Sequence, residues 1–151
     1  MSGLAPARML LAVAAVVDVA LHARPIPVGA KALAARHALP PRHLEGVLQA
    51  LVRAGILKGV RGPRGGYALA RERRRISAGE VARVALAAER PAPAEPVARS
   101  ALVSRVIEPM ADAATAAFLV SLDAVSIDDL CREAEAAEVF GPRPADGDFA
   151  I

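Results

Sequence analysis

Three observations predict a mainly α fold with one small β-hairpin. The first is the stretch Val60-Arg-Gly-Pro-Arg-Gly-Gly-Tyr67, set between the short apolar runs Ile56–Val60 and Tyr67–Ala70. Gly and Pro supply the φ values of a tight reversal there, so the stretch reads as a hairpin tip carrying Arg61 and Arg64. The second is the recurrence of apolar residues at helical spacing on both sides of it. The third is charge: residues 1–75 hold 13 Lys/Arg against 3 Asp/Glu, a balance of +10, whereas residues 76–151 hold 6 against 13, a balance of −7. A basic half suits contact with a polyanion.

The composition is 54% hydrophobic and only 3% aromatic, so the core must be Ala, Leu and Val. Such residues favour helices packed closely through small side chains. A chain of 151 residues makes one or two small domains.

Taken in order, a first helix spans Ala7 to Ala23, with Leu10, Val13, Val17 and Leu21 on one stripe. Arg24-Pro-Ile-Pro27 ends it, because two prolines cannot continue the ladder. A short Ala-rich helix follows from Val28 to His37, anchored by Leu33. After Leu39-Pro40 the chain turns into a third helix, Pro41 to Ala54. Leu44, Val47, Leu48 and Leu51 form its apolar face, with Arg42, Glu45, Gln49 and Arg53 opposite and Gly46 among them. Gly46 costs a helix about 1 kcal/mol relative to Ala, and suits a close approach to the helix. Gly55 is a C-terminal stop.

Beyond the hairpin lies a basic connection, Arg71 to Arg75. Ser77-Ala-Gly-Glu80 is a capping box opening a fourth helix to about Glu89. Residues 90–96, with three prolines, are a linker. A long helix follows, whose apolar seam is Val103, Val106, Ile107, Met110, Ala114, Ala117, Phe118 and Leu122. Pro109 either kinks this helix or begins it. Ser126-Ile-Asp-Asp129 caps a last helix to about Val139, and a flexible tail is expected at the end.

Helices two and three joined by a short turn match a helix-turn-helix, and the hairpin stands where a wing would be. The predicted organisation is a winged helix-turn-helix DNA-binding domain at 1–89, a linker at 90–96, a dimerisation helix and short C-terminal helix at 97–139, and a tail at 140–151. In such a unit the third helix enters the major groove, and wing arginines reach phosphates or the minor groove. Arg42, near the helix start, is placed to reach a base edge; Gln49 suits adenine or phosphate. Glu45 belongs near DNA only if it accepts from a cytosine amino group or orients an arginine. The seam after the linker is best buried against a second copy.

Other chemistry is poorly supported. Cys131 is the single cysteine, which excludes an intramolecular disulfide and a cysteine-rich metal site. Its neighbours Asp128, Asp129 and Glu133 should raise its pKa, against a redox role. His22, His37 and His43 show no metal-ligand spacing. The hairpin lacks the Gly-Lys-Ser/Thr of a phosphate loop, and no nucleophile–base pair stands out, so the chain is read as a non-enzyme. Met9–Val17 resembles a signal-peptide core, but Asp18 and a poor cleavage site favour an amphipathic helix. The run falls short of the ~20 apolar residues of a membrane span, and a cytoplasmic location is expected.

The stretch Leu39–Leu48, then Leu51 to Ala70 with its Arg-Gly-Pro-Arg-Gly-Gly-Tyr hairpin, resembles the Rrf-two family of bacterial transcription regulators. Weaker likeness runs through Ile76-Ser77 and Val125–Leu130, covering about residues 7–139. The resemblance implies a winged helix-turn-helix homodimer on palindromic double-stranded DNA. It places Arg42, His43 and Glu45 at the start of the recognition helix, and Arg61, Arg64, Gly65, Gly66 and Tyr67 in the wing. Many members hold an iron–sulfur cluster on three cysteines between the fourth helix and the dimerisation helix. Ala87 to Glu108 has no cysteine, so the cluster is not carried over and no cofactor or metal is expected. Arg64 stands where the family has a glycine, and Gly46 where it has a polar residue. The expectation is a homodimeric repressor of unknown effector; the alternative is a winged-helix protein-interaction module that has lost specific DNA binding.

Overall fold

The computed structural model describes residues 5–88 and 100–142. The expected linker and all but the first three residues of the expected tail lie outside the described residues. Six α-helices and one two-stranded sheet follow in order: α1 (Ala7–His22), α2 (Ala30–Arg36), α3 (Arg42–Arg53), β1 (Leu57–Val60), β2 (Gly66–Leu69), α4 (Ala78–Ala87), α5 (Glu108–Asp123) and α6 (Ile127–Ala136). A 3-10 turn, Arg73–Arg75, precedes α4, and a π-helical turn, Val103–Ile107, leads into α5.

Helix α1 is the centre of the core, packed against α2, α3, α4, α6 and β2. The expected stripe of Leu10, Val13, Val17 and Leu21 is only partly the buried one. Met9, Ala12, Ala15, Val16 and Val19 are buried along with Val17, whereas Leu10 is 55% exposed. The correction has its cause in packing. Helices α2, α3, α4 and α6 and strand β2 all pack on α1, so its buried face is wider than one stripe, and Leu10 falls on the side they leave uncovered.

Helix α2 starts two residues later than the spacing suggested. Val28 is used in a bridge to the hairpin: its N–H donates to the Tyr67 carbonyl at 2.9 Å, and Tyr67 N–H donates back at 2.8 Å. Leu33 is fully buried, as expected of the anchor of α2. In α3 the expected apolar face is the buried one, with Leu44, Leu48 and Leu51 fully enclosed and Val47 nearly so. Each such leucine stabilises by about 1.5–3 kcal/mol relative to exposure. Gly55 closes α3 at φ +75°.

The antiparallel register pairs Leu57 with Leu69 and Val60 with Gly66. Two glycines in the tip are sterically required. A Cβ on Gly65 would meet the Val60 carbonyl oxygen at 2.3 Å, and one on Gly66 the Val28 carbonyl oxygen at 2.3 Å. The wing is thereby pressed onto the segment that begins the helix-turn-helix.

Both predicted capping boxes are formed, Ser77 with Glu80 and Ser126 with Asp129. They abut, because Ala78 N–H donates to the Val125 carbonyl and Ile127 N–H to the Ile76 carbonyl, each at 2.8 Å. Through this junction α6 returns to the core, where Ile127 and Cys131 are fully buried. Ala101 and Leu102 are already helical, and the chain continues through the π turn into α5 with Pro109 in its first turn. Pro109 thus lies within a continuous helical run, where the wider π turn before it accommodates the ring and its missing N–H.

Candidate nucleic-acid interface

The polar side of α3 faces outward. Arg42, His43, Glu45, Gly46, Gln49 and Arg53 are all exposed, on the side opposite Leu44, Leu48 and Leu51. Spacings of four, three and four residues place Arg42, Gly46, Gln49 and Arg53 on one stripe. At the hairpin tip Arg61 and Arg64 are exposed, while Gly65, Gly66 and Tyr67 are half-buried. Tyr67 packs against the core and holds the Val28 bridge, so it joins the wing to the body.

Ion pairing sorts the arginines into two sets. Arg36, Arg71, Arg73, Arg83 and Arg132 are each paired with a carboxylate. Among the described residues, Arg42, Arg53, Arg61 and Arg64 pair with none, as is also true of Arg8, Arg24, Arg74, Arg75 and Arg105, and Glu45 orients no arginine. The basic connection after the wing is therefore divided. Arg71 bonds Glu80 at 3.0 Å and Arg73 bonds the nearly buried Asp128 at 2.7 Å, tying the fold, while Arg74 and Arg75 stay exposed.

A second cluster, missed in the sequence, positions the helix-turn-helix. Asp18 of α1 is fully buried. Arg36 at the end of α2 grips it with Nε at 2.9 Å from Oδ2 and Nη2 at 2.5 Å from Oδ1. The His37 ring lies 2.9 Å from Oδ2 and the His22 ring 3.1 Å from Oδ1. The hydrogen bonds that Arg36 donates to Asp18 raise the Arg36 pKa. The signal was available: an aspartate inside the apolar run Met9–Val19 demands a buried partner. His37, adjoining the turn, is a packing residue, whereas His43 faces outward on α3.

Along α5 the seam residues Val106, Ile107, Met110, Ala114, Ala117 and Phe118 are exposed, and Val103 is half-buried. Leu122 instead packs against the chain's own core with Leu119. Gly79 explains how closely this end approaches α4, since a Cβ there would lie 2.9 Å from the Asp123 backbone nitrogen. Arg83 closes the junction with two hydrogen bonds to Asp123, at 2.5 and 2.9 Å, which lower that carboxyl's pKa.

Cys131 is raised in pKa chiefly by burial, with Arg73 opposing and Asp128 and Glu135 adding to the rise. Burial, more than the acidic neighbours named from sequence, is the cause. A buried protonated thiol is unreactive. Among the described residues no group of three His, Cys, Asp or Glu could hold a metal ion, and no helix is long and apolar enough to cross a membrane.

A recognition helix with a polar outer stripe, a preceding short helix locked to the core and an arginine-tipped hairpin define a winged helix-turn-helix. Comparison with known proteins makes the class specific. The sequence model of the Rrf2 family, described as "Iron-dependent Transcriptional regulator", matches residues 6–133, and the chain belongs to that family. It is 44% identical over 69 residues to slr0846 of Synechocystis sp., described as an HTH-type transcriptional regulator, covering 46% of this chain and 47% of that one. It is 40% identical over 70 residues to the regulator IscR of Vibrio atlanticus, covering 46% and 40%. The matched segment thus spans about half the length of these curated relatives, which are transcriptional regulators and not enzymes. Among solved structures, IscR of T. potens is similar over 97% of this chain and 95% of its own, with TM-score 0.67 and 28% identity. CymR of B. subtilis, titled its global cysteine regulator, is similar over 88% and 98%, with TM-score 0.61 and 26% identity.

The family's description names iron, and the donors of this chain limit how iron could be held. Cys131 is the chain's single cysteine, and it lies buried against the Val17 carbonyl, Sγ to O 4.0 Å. This donor set does not fit a cysteine-ligated iron–sulfur cluster.

Proposed function

We propose that this chain is a cytoplasmic DNA-binding transcription regulator, acting as a homodimeric repressor on a palindromic operator without an iron–sulfur cluster. The observation that carries the reading is the sorting of its arginines. Arg42 and Arg53 on α3 and Arg61 and Arg64 on the wing project without carboxylate partners among the described residues, as do Arg74 and Arg75 after the wing, whereas Arg71 and Arg73 of that same connection are held in ion pairs. Unpaired guanidinium groups on a rigid frame are what a phosphate backbone recruits, and binding is then largely electrostatic. Arg42, His43, Glu45, Gln49 and Arg53 read or position on the major groove, and Arg61 and Arg64 reach phosphate or the minor groove. Gly65, Gly66 and Tyr67 shape the wing that delivers them. The exposed apolar side of α5 supports the homodimer, because contiguous large apolar side chains left in water mark an interface. Two copies related by a two-fold axis would address two half-sites.

Selection of binding sites from a random duplex pool with purified protein tests the proposal. One enriched palindrome is the expected result; no enrichment would favour a protein-interaction module instead. On the selected duplex, Arg61→Ala and Arg64→Ala should each weaken binding about tenfold and lower the salt slope by about one. Unchanged affinity and slope would remove the wing from the interface.

A further inference from the structure

We propose that Arg8, on α1, belongs to the DNA-reading surface and supplies the side chain that α3 lacks at Gly46. The proposal rests on the DNA-binding reading above. The outer stripe of α3 runs through positions 42, 46, 49 and 53, and Gly46 leaves a gap in it. A Cβ built on Gly46 has a single neighbour within 4 Å, the Arg8 Nη2 at 3.4 Å. The guanidinium of Arg8 therefore lies across the recognition helix at the position with no side chain of its own.

The surroundings show what this group lacks. A groove of about 500 Å³ runs between α1 and α3, walled by Arg8 and Leu11 on one side and by Arg42, His43 and Gly46 on the other. It contains three basic side chains and no carboxylate. Arg8 Nε is buried from water and has no hydrogen-bond partner among the described residues. Arg36 shows how this fold satisfies an inward arginine, by a bidentate grip on buried Asp18. Among the described residues Arg8 has no such carboxylate. Arg8 is half-buried, and a guanidinium whose Nε is out of water with no acceptor favours a ligand rich in acceptor oxygens. Set beside Arg42 and His43 on the outer stripe, the ligand chemistry it fits is duplex DNA: a phosphate oxygen or the acceptor edge of a guanine.

The test uses the full chain and a duplex selected by the wild-type protein. Arg8→Met keeps the apolar stem in the groove and removes the charge. It should bind about tenfold more weakly with helix content unchanged. Gly46→Gln places a side chain where Arg8 lies, and should weaken wild-type binding while adding little to Arg8→Met, since both act on one contact. Arg8→Lys separates the two acceptors. Restored affinity assigns the contact to phosphate, and a loss confined to the selected duplex over a random one assigns it to a base edge. Arg8→Met binding like wild type, or losses from Arg8→Met and Gly46→Gln that simply multiply, would overturn the role of Arg8 while Arg61→Ala still weakens binding. If the wild-type chain binds no duplex, both readings fall together.

Discussion

Helices α3 and α5 are built from the same kinds of residue and reach opposite ends. In α3 every large aliphatic residue but half-buried Val52 is enclosed, and the outward side is polar. In α5 no residue is buried, and Met110, Phe118 and Val120 are 61%, 40% and 63% exposed. Water completes the first arrangement. The second leaves a row of large apolar side chains in water, the kind of surface that a partner covers. The contrast teaches that one helix is complete in water while the other keeps an apolar side uncovered, which is where the proposed second copy would pack.

The largest expected effect comes from attacking that half. Met110→Glu with Phe118→Glu should leave the helical content intact and halve the mass seen in sedimentation. Affinity for a two-fold duplex should fall about a hundredfold, since bivalent engagement is lost. A variant that keeps the wild-type mass would break the comparison.

A smaller effect is expected where the wing meets the core. Gly66→Ala forces a Cβ against the Val28 carbonyl oxygen, and should cost about 2 kcal/mol in urea unfolding. Arg61→Ala nearby should move the same midpoint by less than about 0.5 kcal/mol, because its side chain touches solvent. Equal effects from the two would mean that the tip is not held as described.

The smallest concerns acid. Asp128 is held low in pKa by hydrogen bonding to Arg132, with Arg73 contributing, and Asp123 and Asp129 are lowered by Arg83 and Ser126. Carboxyls with depressed folded pKa values stabilise the fold above their unfolded value of about 3.9. That contribution is lost as pH falls through the folded values. Stability should therefore decline below about pH 4, and Asp128→Asn should decline less steeply. Identical pH profiles in urea midpoints would sink the link between α6 and Arg73.

Much of this was legible in order and kind. The amphipathic α3, the two capping boxes and the glycine-rich tip are local patterns, and they formed within one or two residues of expectation. The face of α1 was not legible, because helix packing from several sides overrode the simple stripe. Val28 was drawn out of α2 by a strand partner 39 positions later in the chain. Arg71 and Arg73 looked like part of one basic run, yet each is satisfied by a carboxylate that only folding brings near.

By itself the sequence determined the elements, their caps and the basic surface of the first half, since these depend on spacing and on residues within a few positions. Only the tertiary structure decided which arginines remain free, because a charge is neutralised by whatever the fold sets within about 4 Å. It also decided that Arg8 lies over Gly46: side chains from helices more than thirty positions apart can share one stripe only after α1 and α3 have packed.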